Sequence, residues 1–315
     1  AAALAPARAL PRGALGQLSS EPVGSGPYRF VEAQENSIVM EAFSDHWEGA
    51  PAAARIIWHS EPSPDRRLEA LLDKRADLIS DVPKQGASKV EDNRDLRLLT
   101  VPSSVCTVFF CNLMKGMCTD RRVRQALNYA LDVPRLIQDL QGGWARPISG
   151  PITPDHFGHD PSVPPYPYDR DRAQALLNEA GLGTGAKLVM DVPTRLPDEA
   201  VALAERMATY YEAVGMATEI KTFEDRPGYA DMVRGKKIDD ACCFDSSPLS
   251  TYRTLREKFH SGVAGPWWQG YDQPSVNALI EEAQSTTDVR ARGAIYQEAH
   301  RTIRDDAPWI FLYNE

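Results

Sequence analysis

The densest group of metal-ligating side chains in this chain is Asp155, His156, His159 and Asp160. Its chemistry would be coordination of a divalent first-row cation. The group lies among Pro147, Pro151, Pro154, Pro161, Pro164 and Pro165, where no helix or strand can hold a tetrahedral set, so no metal is expected. The other histidines (His46, His59, His260 and His300) are scattered and match no hydrolase or zinc-protease spacing. No Gly-x-Ser-x-Gly elbow occurs. Gly24-Ser25-Gly26-Pro27 leads into a strand-like run without a Lys-Ser/Thr pair, so a phosphate loop is not expected either. Cys106, Cys111, Cys118, Cys242 and Cys243 have no ligand spacing and read as small buried hydrophobes, Cys242 and Cys243 facing opposite sides of one strand. With no nucleophile, base and stabiliser in sight, the chain reads as something other than an enzyme, with no cofactor.

Composition narrows the partners. Of 315 residues, 43% are hydrophobic and 25% charged, as in an ordinary globular protein. A formal net charge of −9 argues against nucleic acid and anionic lipid, which need a basic face. No apolar run reaches the roughly 20 residues of a membrane-spanning helix. Residues 1–20 are rich in alanine but broken by Arg8, Pro11 and Arg12, and do not read as a signal peptide. The absent initiator Met leads us to expect a piece of a longer gene product.

The elements that must position any site follow from periodicity. Strands are expected at 28–33, 37–43 and 55–60, a helix at 66–75, and strands at 76–82, 96–101 and 105–113. Val123, Ala126, Leu127, Ala130 and Leu131 repeat at helical spacing behind Asp120. A proline-broken loop covers 142–167. Asp169 is a fitting N-cap for a helix carrying Ala173, Leu176 and Leu177 and stopped at Gly181. Strands at 187–192, 217–223, 239–244 and 308–313 alternate with helices at 197–214, 251–259, 274–284 and 288–304. Such alternation belongs to an α/β architecture.

Several segments, in order, resemble one family. Gly24-Ser25-Gly26-Pro27-Tyr28, the run 76–82, the stretch 108–112 followed by VRQALNYALD at 123–132, YDRDRAQALLNEAG at 168–181, and 271–299 running into PWIFLY are similar to the family 5 extracellular solute-binding proteins. These are peptide, nickel and opine receptors of bacterial ABC importers. The resemblance implies an α/β, two-lobe periplasmic-binding-protein-like fold of the type II, peptide-binding class, with one lobe incomplete. Residues 1–110 would form part of a first lobe, 111–309 a second, ligand-closing lobe, and 310–315 the start of a strand returning to the first.

The resemblance also implies a site. In peptide-binding members an Asp just after a lobe strand pairs with the ligand's α-ammonium, and Phe244-Asp245-Ser246-Ser247-Pro248 stands in that place. A carboxylate at a strand end flanked by serines can stay ionised and make a charge-assisted hydrogen bond; the alternative is that Asp245 or Ser250 caps the next helix. Phe110 and Asn112 fall where the resemblance places a crossover strand along which an extended peptide is held, although Phe110 also reads as core. Trp267 could stack on a ligand or anchor a surface loop. The implied partners are a peptide or related small solute and ABC permease subunits, with the protein a monomer, periplasmic or lipid-anchored. Alternatives are an inactive or regulatory fragment of the same family, or a nickel-chelate binder.

Overall fold

The computed structural model describes residues 22–183, 185–195, 197–246 and 250–315. The reading of residues 1–20 therefore lies outside the described residues. The chain divides into two compact units, Ala1–Leu99 and Thr100–Glu315.

In the first unit, β1 (Tyr28–Gln34), β2 (Ser37–Ala42) and β3 (Arg55–His59) form an antiparallel sheet in chain order. Helix α1 (Pro64–Leu72) starts as its sequence dictates: the Ser63 hydroxyl accepts from Arg66 N, and proline opens the first turn. With α2 (Ala87–Glu91) it closes a small core of Leu68, Leu71 and Val90. Residues 76–82 and 96–101 are not strands. Their apolar side chains Ile79, Val82, Leu96 and Leu98 pack from loops against that core. Asp81, at φ 54°, has left-handed backbone that no strand tolerates. A short apolar run records burial but not the backbone that delivers it.

The second unit is built on a six-stranded sheet. Its strands are β4 (Cys106–Cys111), β5 (Arg146–Pro147), β6 (Lys187–Pro193), β7 (Ala217–Phe223), β8 (Ala241–Ser246) and β9 (Trp309–Asn314), in the order β5-β9-β4-β8-β6-β7. β6, β7 and β8 are parallel, while β4 is antiparallel to both β8 and β9. Every residue of β4 is buried, because the sheet is covered on both faces. Alternation sends Phe109, Cys111, Cys243 and Ile310 into one core and Val108, Phe110, Cys242 and Phe244 into the other. All five cysteines are free and buried.

The first core lies under α3 (Arg121–Tyr129), α4 (Val133–Gln141), α5 (Arg170–Glu179) and α6 (Ala200–Glu212). The second lies under α7 (Arg226–Arg234), α8 (Thr251–Phe259), α9 (Pro274–Ser285) and α10 (Val289–Asp306). Asp120, Asp169 and Asp288 cap their helices, each side chain accepting a backbone N–H in the first turn. Helix α7 escaped the sequence reading because Pro227 and Gly228 look like breakers. At the first turn they are tolerated, and Asp225 caps Gly228 N.

Two boundaries drawn from the sequence need correction. A cut after 110 would split β4, and a return strand at 310–315 would leave the unit. In the structure β4 and β9 pair with each other inside the six-stranded sheet, and the division falls at Leu99.

Candidate functional site

Because β6, β7 and β8 are parallel, their carboxyl ends gather at one end of the sheet, where open α/β sheets hold ligands. Asp245 and Ser246 end β8 there, in register with Thr107 and Cys106 of β4. Consecutive strand residues point to opposite faces, so the two side chains divide between the cores.

Asp245 keeps 35% of its side chain exposed, and its Oδ1 accepts from Arg226 Nη2 at 3.1 Å. Arg226, whose side chain is 15% exposed, opens α7. Its guanidinium lies 4.6 Å from the ring centroid of Phe244. The Phe244 ring meets Trp267 at 4.7 Å, and Arg234 covers Trp267 at 4.7 Å. A stack of cation, two aromatics and cation thus braces the end of β8, each cation–π contact contributing about 0.5–2 kcal/mol.

On the same face as Phe244, opposite Asp245, the buried Ser246 hydroxyl accepts from Lys258 Nζ at 2.6 Å. Lys258 is partly buried, and desolvation pushes its pKa down to about 8. Neither Arg226 nor Lys258 was singled out from the sequence. Arg226 had a signal, an Asp-Arg-Pro run opening a helix. Lys258 had a subtler one: it falls at helical spacing from Thr251, Thr254 and Leu255, all buried, so a charge occupies the apolar stripe.

Asp245 is not a helix cap: Ser250 caps α8, its hydroxyl accepting from Arg253 N at 3.3 Å. Ser247 and Pro248 lie outside the described residues. Trp267 is partly buried against Phe244. Phe110 and Asn112 must be withdrawn as ligand contacts. Phe110 is fully buried, its ring 5.4 Å from Phe244 and 4.8 Å from Trp309. Asn112 is equally buried, with Nδ2 donating to Ile238 O at 2.9 Å and Oδ1 accepting from Met114 N at 3.1 Å. β4 is also paired on both edges, which leaves it no free ladder for an added peptide strand.

Elsewhere, His156 Nδ1 bonds Thr153 Oγ1 at 2.7 Å, and the His159 ring stands edge-on to His300 at 4.9 Å. Among the described residues no three His, Cys, Asp or Glu side chains are grouped to hold a metal ion. Burial pushes the Cys106 thiol up to about 12, so it is no nucleophile at neutral pH. No described helix is long and apolar enough to cross a membrane.

A sheet covered by helices on both faces is also the architecture of solved substrate-binding proteins. The solved ABC transporter substrate binding protein CtaP of Listeria monocytogenes superposes with a TM-score of 0.84 at 22% identity, over 95% of this chain and 62% of that one. The family model described as bacterial extracellular solute-binding proteins, family 5 Middle, matches residues 3–279, and the chain belongs to that family. Among its relatives are the glutathione-binding protein GsiB of Pectobacterium atrosepticum, 28% identical over 314 residues, and di/tripeptide-binding protein 2 of Pseudomonas aeruginosa, 26% identical over 313. Those matches cover 95% and 96% of this chain but only 60% and 58% of the relatives' own length.

Proposed function

We propose that this chain is the ligand-holding part of a receptor for a peptide-type ABC importer, which binds a small peptide or related solute and passes it to permease subunits. Relatives bearing the names of glutathione- and di/tripeptide-binding proteins support that class of cargo. In this reading the protein is a monomer, periplasmic or anchored by lipid outside the cytoplasmic membrane.

The observation that carries the reading is Asp245. It stands at the carboxyl end of the parallel strands, more exposed than Arg226, which holds its Oδ1. Its Oδ2 has no hydrogen-bond partner among the described residues. Fixed by one guanidinium contact, the carboxylate presents the second oxygen to a ligand ammonium. Trp267, braced by Phe244 and Arg234, supplies an adjoining apolar wall.

Calorimetry with di- to pentapeptides on wild type and Asp245→Asn tests the assignment. A hydrogen bond to a charged group contributes about 1.5–3 kcal/mol, so affinity should fall roughly ten- to a hundredfold. Equal affinities would remove Asp245 from the site, and no binding by the complete gene product would reject a peptide cargo.

A further inference from the structure

Two of the five free, buried cysteines touch. Cys111 ends β4, and Cys118 lies in a single 3-10 turn, Met117–Thr119, just before α3. Both side chains enter the first core, where the Cys118 thiol donates a hydrogen bond to Cys111 Sγ. Both also act on the buried Tyr211 hydroxyl, which places the three side chains together. The turn between the cysteines is folded to make that meeting. Asn112 N donates to Asp240 O and Leu113 N to Gln269 O, each at 2.9 Å, which holds the chain as it leaves β4. Gly116, at φ 74°, then reverses it with left-handed backbone, and an added Cβ there would stand 2.6 Å from Asp240 Oδ1.

Strand geometry separates the remaining thiols. Cys242 and Cys243 are consecutive in β8 and enter opposite cores. Cys106 shares the second core with Cys242, but it lies opposite Ser246 while Cys242 lies opposite Phe110, about 13 Å along the ladder. Cys243 faces the same core as Cys111 but pairs with Phe109, so it is a diagonal neighbour about 7–8 Å away. A disulfide needs Cβ atoms about 3.5–4.5 Å apart.

We infer that Cys111 and Cys118 form a structural disulfide that staples the turn between β4 and α3. The inference goes beyond the solute-binding reading and does not depend on the cargo. The bond arises by exchange with a disulfide oxidant, either a protein disulfide or oxidised glutathione. One thiolate of the pair attacks the oxidant's S–S bond, the second cysteine attacks the mixed disulfide, and the oxidant leaves as two thiols carrying the pair's two electrons and two protons. The hydrogen bond to Cys111, together with burial, holds the Cys118 thiol well above its usual range, so the folded dithiol is a poor nucleophile. Exchange therefore belongs to the folding chain, before Leu113 and Met117 pack over the core. The staple has structural reach, because Cys118 O accepts from Arg124 Nη1 at 2.8 Å and Arg124 also holds the end of α10.

Refolding the full chain from denaturant in a glutathione redox buffer, then quenching with N-ethylmaleimide in denaturant, tests the pairing. Intact mass should show three maleimides per chain, the five cysteines less the bonded two. Trypsin cuts after Lys115, yet the peptides 98–115 and 116–121 should stay joined until reduced, with fragment spectra placing the bond on Cys111 and not Cys106. Five maleimides, or a bond joining any other pair, overturns the inference.

The urea midpoint adds a readout of the staple itself. Oxidised wild type should exceed reduced wild type by about 1 M. Cys118→Ala, or Cys111→Ala should the first not fold, should take four maleimides and show a midpoint indifferent to reductant. No rise in wild type, or an equal rise in the variant, overturns the stapling role. Both readouts are made without ligand, so a failure of peptide binding leaves them standing, and loss of the disulfide leaves the peptide reading intact.

Discussion

Replacing Asn128 with leucine isolates what ties α3 to β9. Asn128 is buried; Nδ2 donates to Arg124 O at 2.9 Å and Trp309 O at 3.0 Å, while Oδ1 accepts from Phe311 N at 2.9 Å. The contact has a geometric origin. Pro308 O accepts from Cys111 N of β4, so alternation turns Trp309 O and Phe311 N to the opposite edge of β9. Asn128 supplies partners on the other edge of β9, where the two-residue β5 pairs only with Tyr313 and Asn314. Leucine has nearly the same bulk but leaves Trp309 O and Phe311 N unpaired in the interior. Two such groups cost about 1–3 kcal/mol each, and added apolar burial returns about 1 kcal/mol, for a net loss of about 3 kcal/mol. With a urea slope of about 2 kcal/mol/M the midpoint should fall by about 1.5 M, the slope itself unchanged. Equilibrium unfolding followed by tryptophan fluorescence measures it. A loss below about 1 kcal/mol would show that this edge of β9 finds other partners and refute the reasoning.

Other perturbations have equally direct outcomes. His300 is buried, its Nδ1 accepting from Asp160 N at 3.4 Å and its Nε2 meeting Ser149 Oγ at 3.2 Å, so a second ring proton would face a donor. Burial, with the His159 charge beside it, pushes its pKa down to about 4. The unfolded chain binds that proton near pH 6.5 and the native state only near 4. Stability should therefore be full above pH 6.5 and fall by up to about 3 kcal/mol as pH drops through that window. Urea midpoints across pH 4–7 for wild type and His300→Gln check this: the variant should lose most of the slope. The neighbouring ion pair of Asp160 and Arg301 stays intact in this range, because bonds from Ser162 and Arg301 hold Asp160 down to about 2. Gly150→Ala would put a Cβ 2.4 Å from His300 Nε2. The ring is fully buried and cannot step aside, so thermal unfolding should show a loss of about 1–3 kcal/mol. An unchanged midpoint would mean the loop at 148–160 yields freely.

The strands and helices of the second unit were legible wherever burial and backbone follow one period. KLVMDVP, ATEIKTF and WIFLYN stand as strands, and Asp120, Asp169 and Asp288 cap helices as their positions suggest. Legibility failed where the two separate. In the first unit, apolar residues at 79, 82, 96 and 98 are delivered to a core by loops, so they mimic strands without being any. In α7 the breakers sit where a helix tolerates them. β4 was misassigned for a different reason. It was expected at the margin of two lobes, and only the pairing with β8 and β9 shows it as the middle of a sheet, which removes Phe110 and Asn112 from any ligand.

The same contrast explains why the family could be read and the cargo could not. Two polar letters of VRQALNYALD, Arg124 and Asn128, point inward. The Arg124 guanidinium donates to the carbonyls of Asp306, Ala307, Cys118 and Thr119, closing the end of α10, while Asn128 pairs backbone groups of Trp309 and Phe311 in β9. Both act on backbone groups that any chain with this sheet must satisfy, so the motif is a record of architecture. The ligand end obeys no such rule. Asp245 alone reads there as an ammonium site, yet Arg226 and Lys258, brought in from two other helices, reverse the local charge balance. Neither is adjacent to Asp245 in sequence. The surroundings of the proposed Asp245 site are thus set by side chains whose meeting is visible only once β8, α7 and α8 are packed together.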